Sequence, residues 1–402
     1  MGGICWYNKG DKILKVSLFR IYKFYFQEDK NMDFNLSIPV NVISSKGCVK
    51  ENAEKLKAFG TTCLIVTGGK SAVLSGALAD MKAALEKCEI GYEVFDRITP
   101  NPYIEDCHAA GVLAREMGAE FIVGIGGGSA LDAAKAVAVY AANEDFLPLD
   151  IYEKKERNIA LPLVLVGTTA GTGSEVGAVS VLSNKKDERK RSVCAPDCAP
   201  SLTFADPTYT HSMPYDVTVS TALDALSHAI EGFYSKKCTD IPTMFAEKAI
   251  PMIWEGLKYL EREKKVPDEK MREQLYYGSL YAGITLAYCG TAFPHPLGYI
   301  LTEHYKTPHG IACAAFMPEL IRRGVRYERA KSRTLMNLMK TNSAQFFEVI
   351  MNLCDVSDII MTDEEISQWC ERWNTVPNNF IYSPGGFSKA EAKEMLRKKF
   401  VK

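Results

Sequence analysis

The stretch EFIVGIGGGSALDAAK, residues 120–135, predicts a strand, a tight turn and the start of a helix. Its first half is a short apolar run of the kind that forms a buried strand. Four glycines lie within residues 124–128, where a turn can bring the backbone close to a ligand. Alanines and Leu131 follow with helical spacing, and Ser129 is a suitable N-cap. The stretch therefore predicts one strand–turn–helix unit.

Two other apolar runs end in the same way. TTCLIVTGG (61–69) and LPLVLVGTT (161–169) each end in glycine or threonine, and stretches with helical spacing lie between the runs, such as 72–88 and 104–118. Repeated units of this kind predict an open parallel sheet with helices on both faces. We therefore expect an α/β domain with a Rossmann-like sheet over residues 32–207, with ligands bound at the carboxyl ends of its strands.

The second half of the chain has a different pattern. Strand-like runs become rare after residue 208, and helical spacing dominates from DVTVSTALDALSHAIEGFYS (216–235) to the tail at 388–400. Prolines in this half mark helix starts and turns. The sequence predicts an all-α C-terminal domain over residues 208–402.

The first residues are set apart from both domains. ILKVSLFRIYKFYF (13–26) is apolar and aromatic, but Lys15, Arg20 and Lys23 interrupt it. It lacks the uninterrupted apolar core of a signal peptide, and it is too short and too charged to span a bilayer. We expect residues 1–31 to be an N-terminal extension, either disordered or the product of an upstream start codon.

Composition and charge narrow the class of partner. Of the 402 residues, 47% are hydrophobic and 24% are charged, as in a globular protein, and the net charge is -1. This balance gives no electrostatic reason to expect nucleic acid or an anionic membrane as a partner. The 12 cysteines are dispersed without a CxxC pair, which favours reduced thiols in a cytoplasmic protein. A small-molecule substrate is the expected partner.

Two loops rich in glycine and threonine are candidates for binding a nucleotide cofactor. Glycines at 126–128 let the backbone approach a phosphate, and the helix that follows supplies free N–H groups. The motif departs from GxGxxG because position 129 is serine. TTAGTGSE (168–175) is a second such loop at another strand end. Two loops that meet at one crevice favour a cofactor site over an ordinary glycine-rich turn.

The turn after the apolar run of 63–67 bears on the choice of cofactor. Enzymes that prefer NAD commonly place a carboxylate here to hold the adenosine ribose. This chain instead has Gly68, Gly69, Lys70 and Ser71, whose lysine and hydroxyl suit a 2′-phosphate. We therefore predict a preference for NADP(H) over NAD(H); the alternative is an ordinary βα turn.

The positions of the histidines indicate a metal site. Asp224 and His228 lie four residues apart in a helical pattern, so both face the same side of a helix. His295 and His309 bracket an apolar stretch, each beside proline or glycine. Such a set of nitrogen and oxygen donors suits iron(II), manganese or zinc, and an open coordination position provides a Lewis acid. His304, between the two, has no matching role and is predicted to lie at the surface or a pocket rim.

Four ordered motifs give the chain a resemblance to a known family. GGGSALDAAKAVAV, TTAGTGSE, ALDALSHAIEGFYS and HPLGYILTEHYKTPHG are similar to those of the iron-containing (group III) alcohol dehydrogenases. The resemblance extends from about residue 35 to the end. It implies a homodimer that pairs through an N-terminal strand, here residues 34–43. It also implies the metal ligands, which act in catalysis through the metal: Asp224, His228, His295 and His309.

The same resemblance implies a set of cofactor-binding residues in the turns at the strand ends and beside them. They are Gly68, Gly69, Lys70, Ser71, Asn101, Gly127, Gly128, Ser129, Asp132, Thr168, Thr169, Thr172, Ser174, Val181 and Arg191. Arg191 is the nearest match to a lysine that the family often has near the cofactor ribose. Tyr299 stands where some members carry a histidine proposed to relay protons. Phe293 is bulkier than the residues common at its position, which predicts a narrower substrate pocket.

The function expected from the resemblance is reversible hydride transfer between a small aliphatic alcohol and NAD(P)(H), with Fe(II), or zinc, polarising the substrate oxygen. Alcohols of the 1,3-propanediol, 1,2-propanediol and butanol type are the expected substrates. Two alternatives stay open. One is a metal enzyme of the same superfamily, such as a glycerol dehydrogenase or dehydroquinate synthase, and the other is a non-catalytic cofactor-binding protein.

Overall fold

The computed structural model describes residues 38, 40–154, 157–186 and 189–401, together with two strands near the N-terminus. These strands, β1 (Ile4–Asn8) and β2 (Ile13–Ser17), pair antiparallel within a unit of residues 1–37. The rest of the predicted extension, residues 1–31, lies outside the described residues. Residues 38–402 form the other unit.

The predicted parallel sheet is present in this second unit. Its strands are β3 (Asn41–Ile43), β4 (Thr62–Val66), β5 (Gly91–Phe95), β6 (Phe121–Gly126), β7 (Leu163–Gly167) and β10 (Leu202–Phe204). All neighbours are parallel, in the order β3-β10-β7-β6-β4-β5. An antiparallel pair outside this sheet, β8 (Val179–Leu182) and β9 (Arg191–Cys194), is an addition to the predicted fold.

Six helices accompany the strands in the described part of the α/β region. They are α1 (Cys48–Glu51), α2 (Ser71–Leu74), α3 (Ala77–Lys87), α4 (Ile104–Glu116), α5 (Gly128–Ala142) and α6 (Asp150–Glu153). The single helical stretch expected over 72–88 is divided because Gly76 adopts a φ of 83°. Helix α5 starts at Gly128 with Gly127 as its N-cap, so the prediction that Ser129 caps it is wrong.

Side chains of the strands alternate between two apolar clusters, one on each face of the sheet. On β4, Leu64 and Val66 belong to one cluster, whereas Cys63 and Ile65 belong to the other. Helices α4 and α5 contribute to the first cluster, and α1 and α3 to the second. Because both faces are buried, the strands are continuous apolar runs, which is the pattern that identified them in the sequence.

The described residues after Phe204 contain helices and no strand, as the sequence predicts. The helices are α7 (Tyr215–Tyr234), α8 (Asp240–Glu263), α9 (Glu269–Cys289), α10 (Pro294–Tyr305), α11 (His309–Ala314), α12 (Met317–Tyr327), α13 (Arg329–Met339), α14 (Ser343–Leu353), α15 (Asp363–Cys370), α16 (Asn378–Tyr382) and α17 (Lys389–Phe400). They share one large apolar core, in which most of α7 is buried. The α/β domain followed by a helical domain is thereby confirmed.

Candidate active site

Three helices bring the predicted metal ligands together. Asp224 and His228 lie one turn apart on α7. His295 is the second residue of α10, and His309 is the first residue of α11. The two histidines that bracket the apolar stretch therefore reach the same place because α10 runs between them and the chain turns back before α11.

Two glycines let other segments approach α7 closely. A Cβ atom on Gly310 would lie 1.8 Å from the carbonyl oxygen of Ser220, so the start of α11 fits against α7 only with glycine there. A Cβ atom on Gly171, in the second cofactor loop, would lie 2.7 Å from Cβ of Thr221. The two contacts place His309 and the loop beside the same turn of α7.

The carboxylate of Asp224 lies at the centre of the cluster. Its Oδ1 atom is 3.7 Å from Nε2 of His228, 3.8 Å from Nε2 of His295 and 3.9 Å from Nε2 of His309. Donors bound to one ion through bonds of about 2.1 Å at tetrahedral angles stand about 3.4 Å apart. Small shifts of these side chains are therefore enough to close the set around a cation.

Buried polar atoms without partners show that the donors fit a metal ion. Oδ1 of Asp224 and Nε2 of His295 have no hydrogen-bond partner among the described residues, although their side chains are 5% and 4% exposed. A buried carboxylate is costly unless it is paired or coordinates a metal. One carboxylate with imidazoles is a donor set that divalent iron, manganese and zinc accept.

Glu231 holds one of the imidazoles in place. Its Oε1 atom lies 2.7 Å from Nδ1 of His295, and its Oε2 atom accepts a hydrogen bond from the backbone N–H of Ala292. Burial would lower the pKa of His295, but Cys313 and Glu231 hold that pKa well above its usual value. The proton on Nδ1 faces Glu231, as it does beside the orienting carboxylate of a metal-binding histidine, and Nε2 is directed at Asp224. A metal ion bound there would displace the proton that the raised pKa leaves on Nε2.

His309 is the most exposed of the four predicted ligands. Its side chain is 26% exposed, whereas those of Asp224, His228 and His295 are between 4% and 6% exposed. The ring of Tyr299 stacks on it with centroids 5.4 Å apart. Burial, followed by Lys190, lowers the pKa of His309 well below its usual value, which favours the neutral imidazole that binds metals.

A thiol that no sequence motif marks lies in the same cluster. Donor atoms of Asp224, His295, His309 and Cys313 all lie within 4.8 Å of one another. Cys313 is fully buried on α11, one turn after His309. Burial raises the pKa of its thiol, and the neighbouring imidazole of His295 opposes that rise.

The third histidine of the stretch lies outside this group. His304 stacks on Trp369, with ring centroids 4.3 Å apart, and its side chain is 36% exposed. Phe293 is fully buried and stacks on Phe387 at 4.2 Å, within the helical core. The bulk of Phe293 therefore fills the helical core. Among the described residues, its contacts are with this core and not with the surface of a pocket.

The predicted cofactor loops meet at the carboxyl ends of adjacent strands. A Cβ atom on Gly127 would lie 3.1 Å from Cγ2 of Thr169, and one on Gly128 would lie 2.5 Å from Cγ2 of Thr172. The N–H of Thr168 donates to the carbonyl of Gly126 at 2.9 Å. Because β6 and β7 are neighbours, the two loops lie side by side and in contact at the carboxyl end of the sheet.

The glycine turn at 126–129 is joined to Asn101 and to a half-buried lysine, Lys190. The N–H of Asn101 donates to Oγ of Ser129 at 3.3 Å, and Nζ of Lys190 donates to Oδ1 of Asn101 at 2.9 Å. The same ammonium lies over the ring of Tyr299. By contrast, the guanidinium of Arg191 lies over Tyr152. Lys190 thus links Asn101 to Tyr299, whose ring stacks on His309.

Three other predicted cofactor residues are engaged with the protein itself. Asp132 accepts hydrogen bonds from Oγ of Ser174 at 2.5 Å and from the N–H of Val181 at 2.8 Å. Lys135, which is fully buried, donates to Ser174 and to the carbonyl of Val179. This network holds the second loop (168–175) and β8 against α5, so these residues support the loop from within the protein.

In the turn at 68–71, a side chain would have little room at Gly68 and open space at Gly69. A Cβ atom on Gly68 would lie 1.9 Å from the carbonyl oxygen of Ile98, whereas one on Gly69 would meet nothing within 4 Å. Lys70 precedes α2, and Ser71 is its first residue. A Cβ atom built on Gly126 would lie 3.8 Å from Oγ of Ser71, so Ser71 lies beside the glycine turn at 126–128.

Comparison with known proteins identifies the family. The model described as iron-containing alcohol dehydrogenase matches residues 39–207, and the model of the C-terminal part of the Fe-containing alcohol dehydrogenase family matches residues 218–367. The chain belongs to the iron-containing alcohol dehydrogenase family. The resemblance of the four motifs is thereby confirmed.

Individual members agree with this assignment. Alcohol dehydrogenase 4 of Saccharomyces cerevisiae is 31% identical over 74% of this chain and 77% of its own length. NADH-dependent butanol dehydrogenase B of Clostridium acetobutylicum is 30% identical over 71% of this chain and 74% of its own length. The crystal structure of an iron-containing alcohol dehydrogenase from Thermotoga maritima covers 92% of this chain and 99% of its own, with 30% identity and a TM-score of 0.83.

The sequence motifs of this iron-containing alcohol dehydrogenase family member do not reveal three residues at the site, Glu231, Cys313 and Lys190. Glu231 lies seven residues beyond Asp224, two helical turns along the same face, which is a signal in retrospect. Cys313 follows His309 by four residues in the same way. Lys190 lies directly beside Arg191, and sequence alone does not say which of two adjacent basic side chains faces the site.

Within the described residues, every helix of this family member is too short or too polar to span a bilayer.

Proposed function

We propose that this chain is a metal-dependent alcohol dehydrogenase or aldehyde reductase that transfers a hydride between a small alcohol and a nicotinamide cofactor. One observation carries the proposal. Within the described part of the chain, the buried Oδ1 atom of Asp224 has no hydrogen-bond partner, and it lies 3.7 to 3.9 Å from an Nε2 atom of each of three histidines. Asp224, His228, His295 and His309 would hold a divalent cation, Fe(II) or zinc, which supplies a Lewis acid for the substrate oxygen.

The protein's own side chains prepare this centre before any ion is bound. Glu231 keeps a proton on Nδ1 of His295 and leaves Nε2 free. Asp224 contributes the negative charge that attracts a cation into a buried position. His309 is the most exposed of the proposed ligands, so a substrate would approach from its side. The ring of Tyr299 stacks on His309 and limits its rotation.

The crevice between the two loops is the proposed position of the cofactor, which carries the hydride. Backbone N–H groups at the start of α5 would face the diphosphate, because a helix N-terminus binds anions. Lys190 contacts both Asn101, at the adenosine side, and Tyr299, beside the metal cluster. It is therefore suited to bind the cofactor between its diphosphate and its nicotinamide.

The preference for NADP(H) stays a prediction from the sequence GGKS at 68–71. Open space beside Gly69 supports it, since a Cβ atom there would meet no protein atom within 4 Å. The butanol dehydrogenase relative is named as NADH-dependent, which supports the opposite preference. Side-by-side kinetics with NADH and NADPH decide between them.

The substrate class and the assembly are proposed at the same level. Small aliphatic alcohols or diols, of the propanediol or butanol type, are supported by the butanol dehydrogenase relative. A homodimer through residues 34–43 is supported by β3, an edge strand of the sheet on which Val42 is 39% exposed; residues 34–37 and 39 lie outside the described residues. A cytoplasmic location is supported by the free cysteines of the described part.

The test combines metal analysis with activity. The chain is purified without oxygen and loaded with Fe(II), and reduction of short aldehydes is followed with each cofactor. Asp224→Ala and His309→Ala should lose bound metal and activity together, because each removes a donor from the cluster. His304→Ala is the matched control, since His304 packs on Trp369 outside the cluster, and it should keep both. A metal-free Asp224→Ala variant with full activity would refute the proposal.

A further inference from the structure

We infer that Cys313 gives the metal centre a sulfur donor, so that a thiophilic cation such as zinc binds through Asp224, His295, His309 and Cys313. The inference rests on the metal centre of the proposed function and adds a ligand to it. It concerns which ions the site accepts and which atoms hold them.

The position of the thiol supports this assignment. Cys313 follows His309 by four residues on α11, so imidazole and thiol face the same side of the helix. Sγ of Cys313 lies 3.7 Å from both ring nitrogens of His309. Among the described residues, the group of donors that lie mutually within 4.8 Å contains Cys313 and does not contain His228.

The surroundings of the thiol differ from those of an ordinary buried cysteine. Cys354, also buried, donates to the backbone carbonyl of Ile311 at 3.0 Å. Cys313 instead faces the imidazoles of predicted ligands. Gly298 on α10 leaves space for it, because a Cβ atom there would lie 2.9 Å from Sγ. The thiol is thus held by packing at the metal cluster.

An independent observation indicates that a ligand belongs between these donors. Oδ1 of Asp224 and Nε2 of His295 are buried and have no hydrogen-bond partner among the described residues, and both residues belong to the group that includes Cys313. The uncompensated atoms therefore surround the same point that the thiol faces. A cation there would satisfy all of them at once.

The donor chemistry selects the class of ion. A thiolate, a carboxylate and two imidazoles form a tetrahedral set of the kind that zinc occupies, and thiolate favours zinc over harder ions. When the sulfur binds, its proton leaves to solvent and the thiolate donates the electron pair. The same site then offers two sets, one with His228 and one with Cys313, that share three donors.

The test uses cobalt(II) and zinc as probes of the full-length protein. Cobalt(II) loading should produce a near-ultraviolet sulfur-to-cobalt charge-transfer band. The band should disappear in Cys313→Ser and Cys313→Ala. Cys370→Ala, a buried thiol on α15 outside the cluster, should keep it. Zinc affinity, measured by competition with a chelator, should fall at least tenfold in both Cys313 variants, since loss even of an outer partner costs about 10–100-fold.

Measurements on the unaltered chain keep the inference independent of how the variants fold. X-ray absorption of the zinc form should show one sulfur at about 2.3 Å beside nitrogen and oxygen at about 2.0–2.2 Å. A cobalt form without the charge-transfer band, or a zinc form with only nitrogen and oxygen neighbours, would overturn the sulfur ligand and leave the metal centre standing. A chain that binds neither ion would overturn both.

Discussion

Oε1 of Glu231 lies 2.7 Å from Nδ1 of His295, and the two side chains are 0% and 4% exposed. The other oxygen of the carboxylate accepts the N–H of Ala292 at 2.7 Å. The pair therefore joins α7 to the start of α10 and sets the orientation of an imidazole at the metal cluster. Several of the expected results below depend on contacts of this kind, in which one side chain positions another.

Glu231→Gln should weaken metal binding without removing a ligand. The two donors face different oxygens of Glu231, and in glutamine one of these becomes an NH2 group, which would meet either Nδ1–H of His295 or the N–H of Ala292. We expect metal affinity to fall by about 10–100-fold, as for other outer partners of metal-binding histidines. Chelator competition measures the change. Glu273→Gln, an exposed residue of α9, is the control and should bind metal normally. Unchanged affinity in Glu231→Gln would mean that the contact has no orienting role.

Gly69→Asp should shift the cofactor preference toward NADH. The position has open space and a φ of 61°, a conformation that aspartate tolerates. A carboxylate there would repel a 2′-phosphate, and like charges brought together cost several kcal/mol. We expect the ratio of kcat/KM for NADH to that for NADPH to rise at least tenfold. Gly69→Asn, of the same shape without the charge, should leave the ratio nearly unchanged, and an equal shift in both variants would contradict the charge argument.

Gly68→Asp, the substitution that the sequence alone would recommend, should instead damage the fold. Its Cβ atom would lie 1.9 Å from the carbonyl oxygen of Ile98. We expect Gly68→Asp to lower thermal stability without a clean change of cofactor preference. Comparison of Gly68→Asp with Gly69→Asp should therefore separate a steric effect from an electrostatic one. A normally stable Gly68→Asp protein would show that the turn can rearrange.

Gly310→Ala should disturb the metal cluster through the backbone. The added methyl group would lie 1.8 Å from the carbonyl oxygen of Ser220, so the start of α11 must move away from α7. We expect a loss of about 1–3 kcal/mol in the free energy of unfolding and a lower metal content. The control is Gly91→Ala on β5, where the backbone is extended and a Cβ would make only ordinary contacts, the nearest at 3.7 Å. Equal metal content in the two variants would count against a positioning role for Gly310.

Glu175 should make stability depend on pH. Burial raises the pKa of its carboxyl from 4.5 to about 7, although Lys135 opposes that rise; Asp132 and Tyr276 also face the group. An acid with a raised pKa in the folded state contributes fully below pH 4.5, and its contribution is lost as pH rises through 7.

The neutral variant Glu175→Gln tests this dependence. Relative to it, the unaltered chain should lose about 3 kcal/mol of unfolding free energy between pH 4.5 and 8. Urea unfolding at a series of pH values gives the difference. The exposed Glu93→Gln should run parallel to the unaltered chain. Parallel curves for Glu175→Gln as well would mean that the carboxyl titrates normally.

Removal of residues 1–31 should leave metal binding and activity intact. All four predicted ligands and the cofactor loops belong to the unit of residues 38–402. Steady-state kinetics and metal analysis of the shortened chain measure this. A shortened protein that is soluble but inactive would show that the extension contributes to the site.

The sequence by itself determined the sheet and most of the donor set. Strands β4, β6 and β7 are continuous apolar runs because both faces of the sheet are covered, and the glycines and threonines after them mark the crevice. The i, i+4 spacing of Asp224 and His228 is a local property of one helix, so it was readable without the fold. The pair β8 and β9, outside this sheet, gave no comparable signal because its strands are short and half exposed.

Only the tertiary structure decided which other groups join the site. Glu231 and Cys313 each share a helix with a predicted ligand, but their role depends on how α10 and α11 pack against α7. That packing is set by contacts such as Gly310 against Ser220, between segments about ninety residues apart. The choice between Lys190 and Arg191 likewise depends on the direction of adjacent side chains in β9 and before it. Spacing in the sequence determines which side chains are neighbours on one helix. Packing between helices determines which side chains of different helices lie close enough to hold the same ion.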